Sequence, residues 1–203
     1  MIARLVSLAA YVAVPIVGLV LLGWDWRSVI ILYWLENVTL GIRNVVAMRR
    51  TTRMYDPAGP SVKLNGGDIS TYRRGPLIGF FVVHYGLFTF VHGCFVMAIV
   101  AGLFFFGRPD GGPAPEPVRW GTILLIWLVA SAAHLVTDLL QRPDSLPAAN
   151  RLFLGPYRRI VVLHVVILAA SYLISAFGWP PLAALALVVL HAVIDLWRPL
   201  GRR

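Results

Sequence analysis

All five histidines of this 203-residue chain fall inside apolar runs: His84, His92, His134, His164 and His191. Three of its nine carboxylates, Glu36, Asp138 and Asp195, join them there. An ionisable side chain at the centre of a bilayer costs roughly 2.5–3.5 kcal/mol on insertion scales, so each calls for a physical reason. Neutral imidazole with carboxylate is a donor set that suits zinc, iron, nickel or copper, whereas magnesium and calcium prefer oxygen alone. Three protein ligands and an open position make a catalytic zinc site, and a neighbouring carboxylate can serve as base to the bound water. On this reading His84, His134, His164 and His191 are the candidate metal ligands, for Zn or Fe. Asp138 and Asp195 are the candidate catalytic carboxylates, and hydrolysis of a lipid-like substrate is the specific activity expected.

Spacing adds to the case. His134-x-x-x-Asp138 and His191-x-x-x-Asp195 each place a carboxylate one helical turn from an imidazole, on the same face. Such an Asp can ligate directly or hold the other nitrogen of a neighbouring imidazole. Tyr157, His164, Ser171 and Ser175 fall on one stripe at near-heptad spacing. Arg198, seven residues after His191, is placed to neutralise Asp195.

These residues need helices to hold them. The chain is 59 % hydrophobic and 13 % charged, against about 45–50 % and 25 % in soluble domains. Six apolar stretches can be read, at about 2–22, 28–48, 77–106, 119–140, 160–178 and 180–197, each near the length that spans a bilayer. The expected fold is an all-α polytopic transmembrane bundle of six helices in a single domain. The first stretch is long for a signal peptide and lacks a small-x-small cleavage site before Gly23, so it reads as a retained helix.

Charge orients the bundle. Of 18 basic residues, 14 fall on one side: Arg4, Arg49, Arg50, Arg53, Lys63, Arg73, Arg74, Arg142, Arg151, Arg158, Arg159, Arg198, Arg202 and Arg203. Only Arg27, Arg108 and Arg119 fall on the other, while Arg43 lies within the second stretch. The positive-inside rule then places both termini in the cytoplasm, and the bundle reads as an inner-membrane protein. The net charge of +9 therefore reads as topology, since no nucleic-acid motif accompanies it. Membrane lipids are the expected partners, with the 49–75 loop flexible or held at headgroups through its arginines.

Depth follows from about 1.5 Å of rise per residue. His84, His134 and His191 lie about 9–10 Å from the cytoplasmic ends of their stretches and His164 about 6 Å, one layer on four helices. A second polar group sits higher. Tyr33, Glu36, Asn37, Arg43 and Asn44 form a stripe on the second stretch, with Glu36 near the height of His92 on the third. Gly79, Gly86 and Gly93 recur every seven residues on the third stretch, a pattern that admits a neighbouring helix.

The segment Tyr33-Trp34-Leu35-Glu36-Asn37, with Gly41 and Asn44, carries a resemblance when read with Phe80-Phe81-Val82-Val83-His84-Tyr85-Gly86-Leu87-Phe88 and Val91-His92-Gly93-Cys94-Phe95. Together they resemble an uncharacterised family of small prokaryotic membrane proteins, catalogued as a domain of unknown function. The resemblance covers about a fifth of the chain and implies no activity, cofactor or substrate.

Three rival readings use the same groups. A b-type haem carrier would take two histidines as axial ligands. A proton or metal-ion transporter would run a relay from Glu36 and His92 to the lower histidines. A structural or accessory subunit would bond these groups only to each other, at about 1 kcal/mol per interhelical hydrogen bond. Serine catalysis, His-Glu-x-x-His metalloprotease chemistry and nucleotide use lack their motifs. Cys94 stands alone, so no intramolecular disulfide forms.

Overall fold

In the computed structural model the residues described are 25–60, 63–64, 66–68, 72–101, 118–157, 160–161 and 165. The first and sixth apolar stretches, nearly all of the fifth, and both termini lie outside them, as do His164, His191 and Asp195. Three long helices dominate: α1 (Trp26–Arg50), α2 (Arg74–Val100) and α3 (Trp120–Leu140). A 3-10 turn at Pro143–Ser145 follows, and residues 149–157 form helix α4. All three long helices are long and apolar enough to cross a membrane.

Their limits have local causes. Pro76 sits in the first turn of α2, where its missing N–H removes no intrahelical bond. At the end of α3, Gln141 N donates to Asp138 O at 3.2 Å, a tighter final turn, and Pro143 follows. The 49–75 connection is not featureless. Strands β1 (Lys63–Leu64) and β2 (Gly67–Asp68) pair antiparallel, Lys63 opposite Asp68 and Leu64 opposite Gly67. Gly66 turns between them at φ +81°, a left-handed conformation that glycine adopts without steric penalty.

The chain divides into two compact units. One takes in the described residues 25–33, 94–101 and 118–123; the other comprises Trp34–Gly93 and Leu124–Val161. In the second unit α1 is bonded to both neighbours. Trp34 Nε1 donates to Thr89 O on α2 at 2.9 Å, and Tyr85 Oη reaches back to Asn37 O at 3.1 Å. From α3, Trp127 Nε1 lies 2.9 Å from Leu35 O and 2.8 Å from Thr39 Oγ1, which in turn bonds Ser131 Oγ at 2.6 Å. Polar side chains of this kind can join helices in lipid, where apolar contact between helices has little advantage over contact with acyl chains.

The unit's apolar core gathers at the arginine-rich end. Met48 of α1, Leu77, Ile78, Phe81 and Tyr85 of α2, and Ala149, Phe153 and Ile160 pack together there. Elsewhere the long helices turn large apolar residues outward: Val82, Val83 and Leu87 on α2, and Leu125, Leu128, Val129 and Leu139 on α3. Exposed apolar surface of this extent marks a face meant for lipid or a partner rather than for water.

The arginines at that end are built into the fold. Arg50 donates to the carbonyls of Asp138, Leu139 and Gln141 at 2.6, 2.9 and 2.8 Å, taking up acceptors that the end of α3 leaves open. Arg74 does the same for α1, reaching Arg49 O at 2.8 Å and Thr51 O at 2.6 Å. The loop after α1 docks on the segment before α4. Arg53 Nη2 bonds Leu146 O at 3.1 Å, Thr51 Oγ1 bonds Pro147 O at 2.9 Å, and Arg53 O accepts from Ala149 N at 3.0 Å. Asn150 then clamps the backbone of Asp56 from both sides, while Arg151 Nε donates to Asp56 Oδ2 at 2.6 Å. Topology alone is therefore too narrow a reading of these charges. Several close helix ends and loops, because cations favour the carbonyl-rich C-terminus of a helix.

Candidate functional site

His84 stands on the outer side of α2, beside the line of buried Phe81, Tyr85 and Thr89. It is exposed, yet its ring is held. Its Nδ1 lies 2.9 Å from the hydroxyl of Tyr157, brought in by α4. Phe80, one turn earlier on α2, stacks on the imidazole with centroids 5.2 Å apart and planes at 18°. Phe88, one turn later, approaches at the same centroid distance, tilted by 57°. Positions four apart share a helix face, so this Phe-His-Phe row follows from sequence spacing alone. Phe153 extends the row beside Phe80 and Tyr157.

The Tyr157 bond couples the protons of the two groups. Either atom can be the donor, according to the tautomer of His84. With Tyr157 as donor, Nδ1 accepts and Nε2 carries the ring proton; with Nδ1–H as donor, Tyr157 accepts. The exposed side of α2 thus presents an imidazole flanked by two phenyl rings.

The other candidate residues are placed differently. His92 is 1 % exposed, on the buried face of α2, and does not share the surface of His84. Asn37 is also 1 % exposed, and its backbone carbonyl receives the Tyr85 hydroxyl. Glu36 on α1 and His134 on α3 are half-buried. Asp138, one turn after His134, is engaged by Arg43 of α1: Nη2 donates to Oδ1 at 2.9 Å and Nε donates to Oδ2. Gln141 Nε2 also approaches Oδ1, at 3.4 Å. Both carboxylate oxygens are thereby occupied, and Asp138 anchors α1 to α3. Among the described residues, no three His, Cys, Asp or Glu side chains converge as a metal site would require.

Two partners escaped the sequence reading. Arg43 is an arginine within an apolar stretch, a position that calls for a polar partner, and the carboxylate it meets is that of Asp138. Tyr157 sits on the predicted stripe with His164, which lies outside the described residues, and it meets the imidazole of His84, 73 positions away. The glycine pattern on α2 is used at one described position. A Cβ at Gly93 would lie 2.6 Å from the Trp34 indole, whereas none of the described atoms comes within 4 Å of one at Gly79 or Gly86.

With the geometry in place, a family model describing a family of unknown function, DUF6498, matches residues 2–202. The chain belongs to that family. The match covers nearly the whole chain. No curated protein and no solved structure matches the chain.

Proposed function

We propose that this DUF6498 protein is a multi-pass protein of the prokaryotic inner membrane that binds a lipid-soluble ligand at His84. Its arginine-rich end faces the cytoplasm, as the concentration of basic residues beyond Arg49 and around Arg74 favours. The observation that carries the reading is the exposed His84 ring, fixed at Nδ1 by Tyr157 on an apolar helix face. An ordered polar group directed toward hydrocarbon is costly unless something there accepts its proton. The test is to purify the protein in native-lipid discs, extract the bound small molecules and compare wild type with His84→Phe. A molecule enriched at about one per chain in wild type and lost in the variant is the expected result. Identical extracts from both proteins would defeat the reading.

A metal centre is the second reading, and one feature favours it: a neighbour that fixes one imidazole nitrogen is the usual companion of a metal-ligating histidine. It would join His84 and His134 to His164 and His191, with Zn or Fe bound and Asp195 as base toward a lipid-like substrate. It requires the His84 tautomer in which Tyr157 accepts from Nδ1–H. Metal analysis of the purified protein separates the two readings, and an absorbance spectrum reports a haem in the same sample. Stoichiometric zinc or iron, lost in His84→Ala, would favour the metal.

A further inference from the structure

Resting on the His84 reading, we infer that the ligand is a planar ring bearing a carbonyl and an apolar tail, the chemical class of the isoprenoid quinones. Three observations on one patch of α2 converge on it. The first is the imidazole of His84, which offers an Nε2–H to a carbonyl oxygen in the tautomer where Tyr157 donates to Nδ1. The second is the pair of phenyl rings, Phe80 and Phe88, both partly exposed beside the imidazole. Rings of this kind offer faces for a second aromatic or quinonoid plane at centroid separations of about 4.5–7 Å. The third is the exposed aliphatic surface continuing from them through Val83 and Leu87, suited to a hydrocarbon tail.

Depth selects among carbonyl donors. His84 is ten residues beyond Arg74, about 15 Å along the helix at 1.5 Å per residue. The 27 residues of α2 extend about 40 Å, some 10 Å more than the hydrocarbon layer. Centred in the bilayer, α2 would hold His84 about 10 Å inside the apolar boundary. Phospholipid ester carbonyls belong to the boundary itself, so a phospholipid does not bring its acceptor to that level. A ring carbonyl on a fully lipid-soluble molecule does. Binding needs no proton or electron transfer, and none is assigned.

The experiment uses the full chain in discs of defined phospholipid without quinone. Ubiquinone carrying a single isoprene unit is titrated in, and retained quinone is measured by its ultraviolet absorbance after extraction. A diacylglycerol of similar hydrophobicity, with ester carbonyls and no ring, is the second probe. Saturable uptake near one quinone per chain is expected, with no saturable uptake of the diacylglycerol. His84→Phe keeps a ring in place but removes the N–H, and should weaken quinone binding about tenfold, the scale of one hydrogen bond. Tyr157→Phe, the milder change, should weaken it about threefold and stands in if His84→Phe does not fold. His84-dependent binding of the diacylglycerol, with none of the quinone, would overturn the ring and leave the His84 reading intact. Saturable binding of neither probe, or quinone uptake equal in wild type and both variants, would overturn both. Efficient crosslinking between copies of Val83→Cys in a Cys94→Ser background would assign this face to a second chain and likewise overturn the inference.

Discussion

Arg43 of α1 meets Asp138 of α3 with two prongs, Nη2 on one carboxylate oxygen at 2.9 Å and Nε on the other. Both side chains are partly shielded, with relative exposures of 31 % and 16 %. In that setting each charge depends on the other. Truncating one leaves its partner facing apolar surroundings, which costs far more than the net worth of the pair. Arg43→Met and Asp138→Leu should each destabilise the protein by about 2–3 kcal/mol, below the 3–5 kcal/mol of a fully buried pair because both groups remain partly exposed. The double variant should recover most of that loss. Thermal unfolding in detergent of the two single variants and the double variant measures the cycle, and additive losses would deny the coupling.

Arg50 does different work from the same helix. Its guanidinium covers three carbonyls at the end of α3. Lysine offers a compact ammonium rather than a planar fork, and cannot span three acceptors in the same way. Arg50→Gln should cost about 1–2 kcal/mol, with Arg50→Lys recovering only part. The local signature is faster amide exchange in the last turn of α3 and through residues 141–145, with the middle of α1 unchanged.

The helices were legible because they rest on summed hydrophobicity over some twenty residues. The stretches read at 28–48 and 119–140 appear as Trp26–Arg50 and Trp120–Leu140, and the start of the third moves only from 77 to Arg74. That last shift reflects Pro76, a breaker inside a helix but an ordinary residue in its first turn. The site was legible only in part. The Phe80-His84-Phe88 row is local and follows from the helical period. The Tyr157 bond and the Arg43 to Asp138 pair span 73 and 95 positions, and no local pattern encodes which distant groups come together. The second role of the arginines was not legible for another reason: counting charge by side of the membrane says nothing about the backbone carbonyls that Arg50, Arg53 and Arg74 find.

Two glycines of the same seven-residue series should respond differently to alanine. At Gly93 the added methyl would stand 2.6 Å from the Trp34 ring, whose Nε1 is already tied to Thr89 O. The indole cannot retreat without losing that bond, so Gly93→Ala should destabilise by about 1–3 kcal/mol, the usual range for overpacking. Gly86 meets none of the described atoms within 4 Å. There alanine should be neutral or stabilise by up to about 1 kcal/mol through helix propensity. Paired melting curves test the contrast, and equal effects at both sites would contradict the packing at Trp34.

The loop after α1 should detach in acid, and Asp56 sets where. Its carboxyl is held below the ordinary value of 3.8, first by the hydrogen bond from Arg151 and then by the Ala58 backbone N–H. A carboxylate lowered by folding stabilises the folded form fully above its unfolded value. That contribution disappears as pH falls through the lower folded value, when the proton displaces Arg151. A spin label at Ala58→Cys, in a Cys94→Ser background, should stay ordered from pH 7 down to about 4 and gain mobility below that. Arg151→Gln should loosen the label already at neutral pH and shrink the acid step, because the guanidinium that lowers the Asp56 carboxyl is gone. A label equally ordered at pH 7 and pH 2.5 would mean that Asn150, which bonds the Asp56 backbone at both N and O, holds the loop without the ion pair.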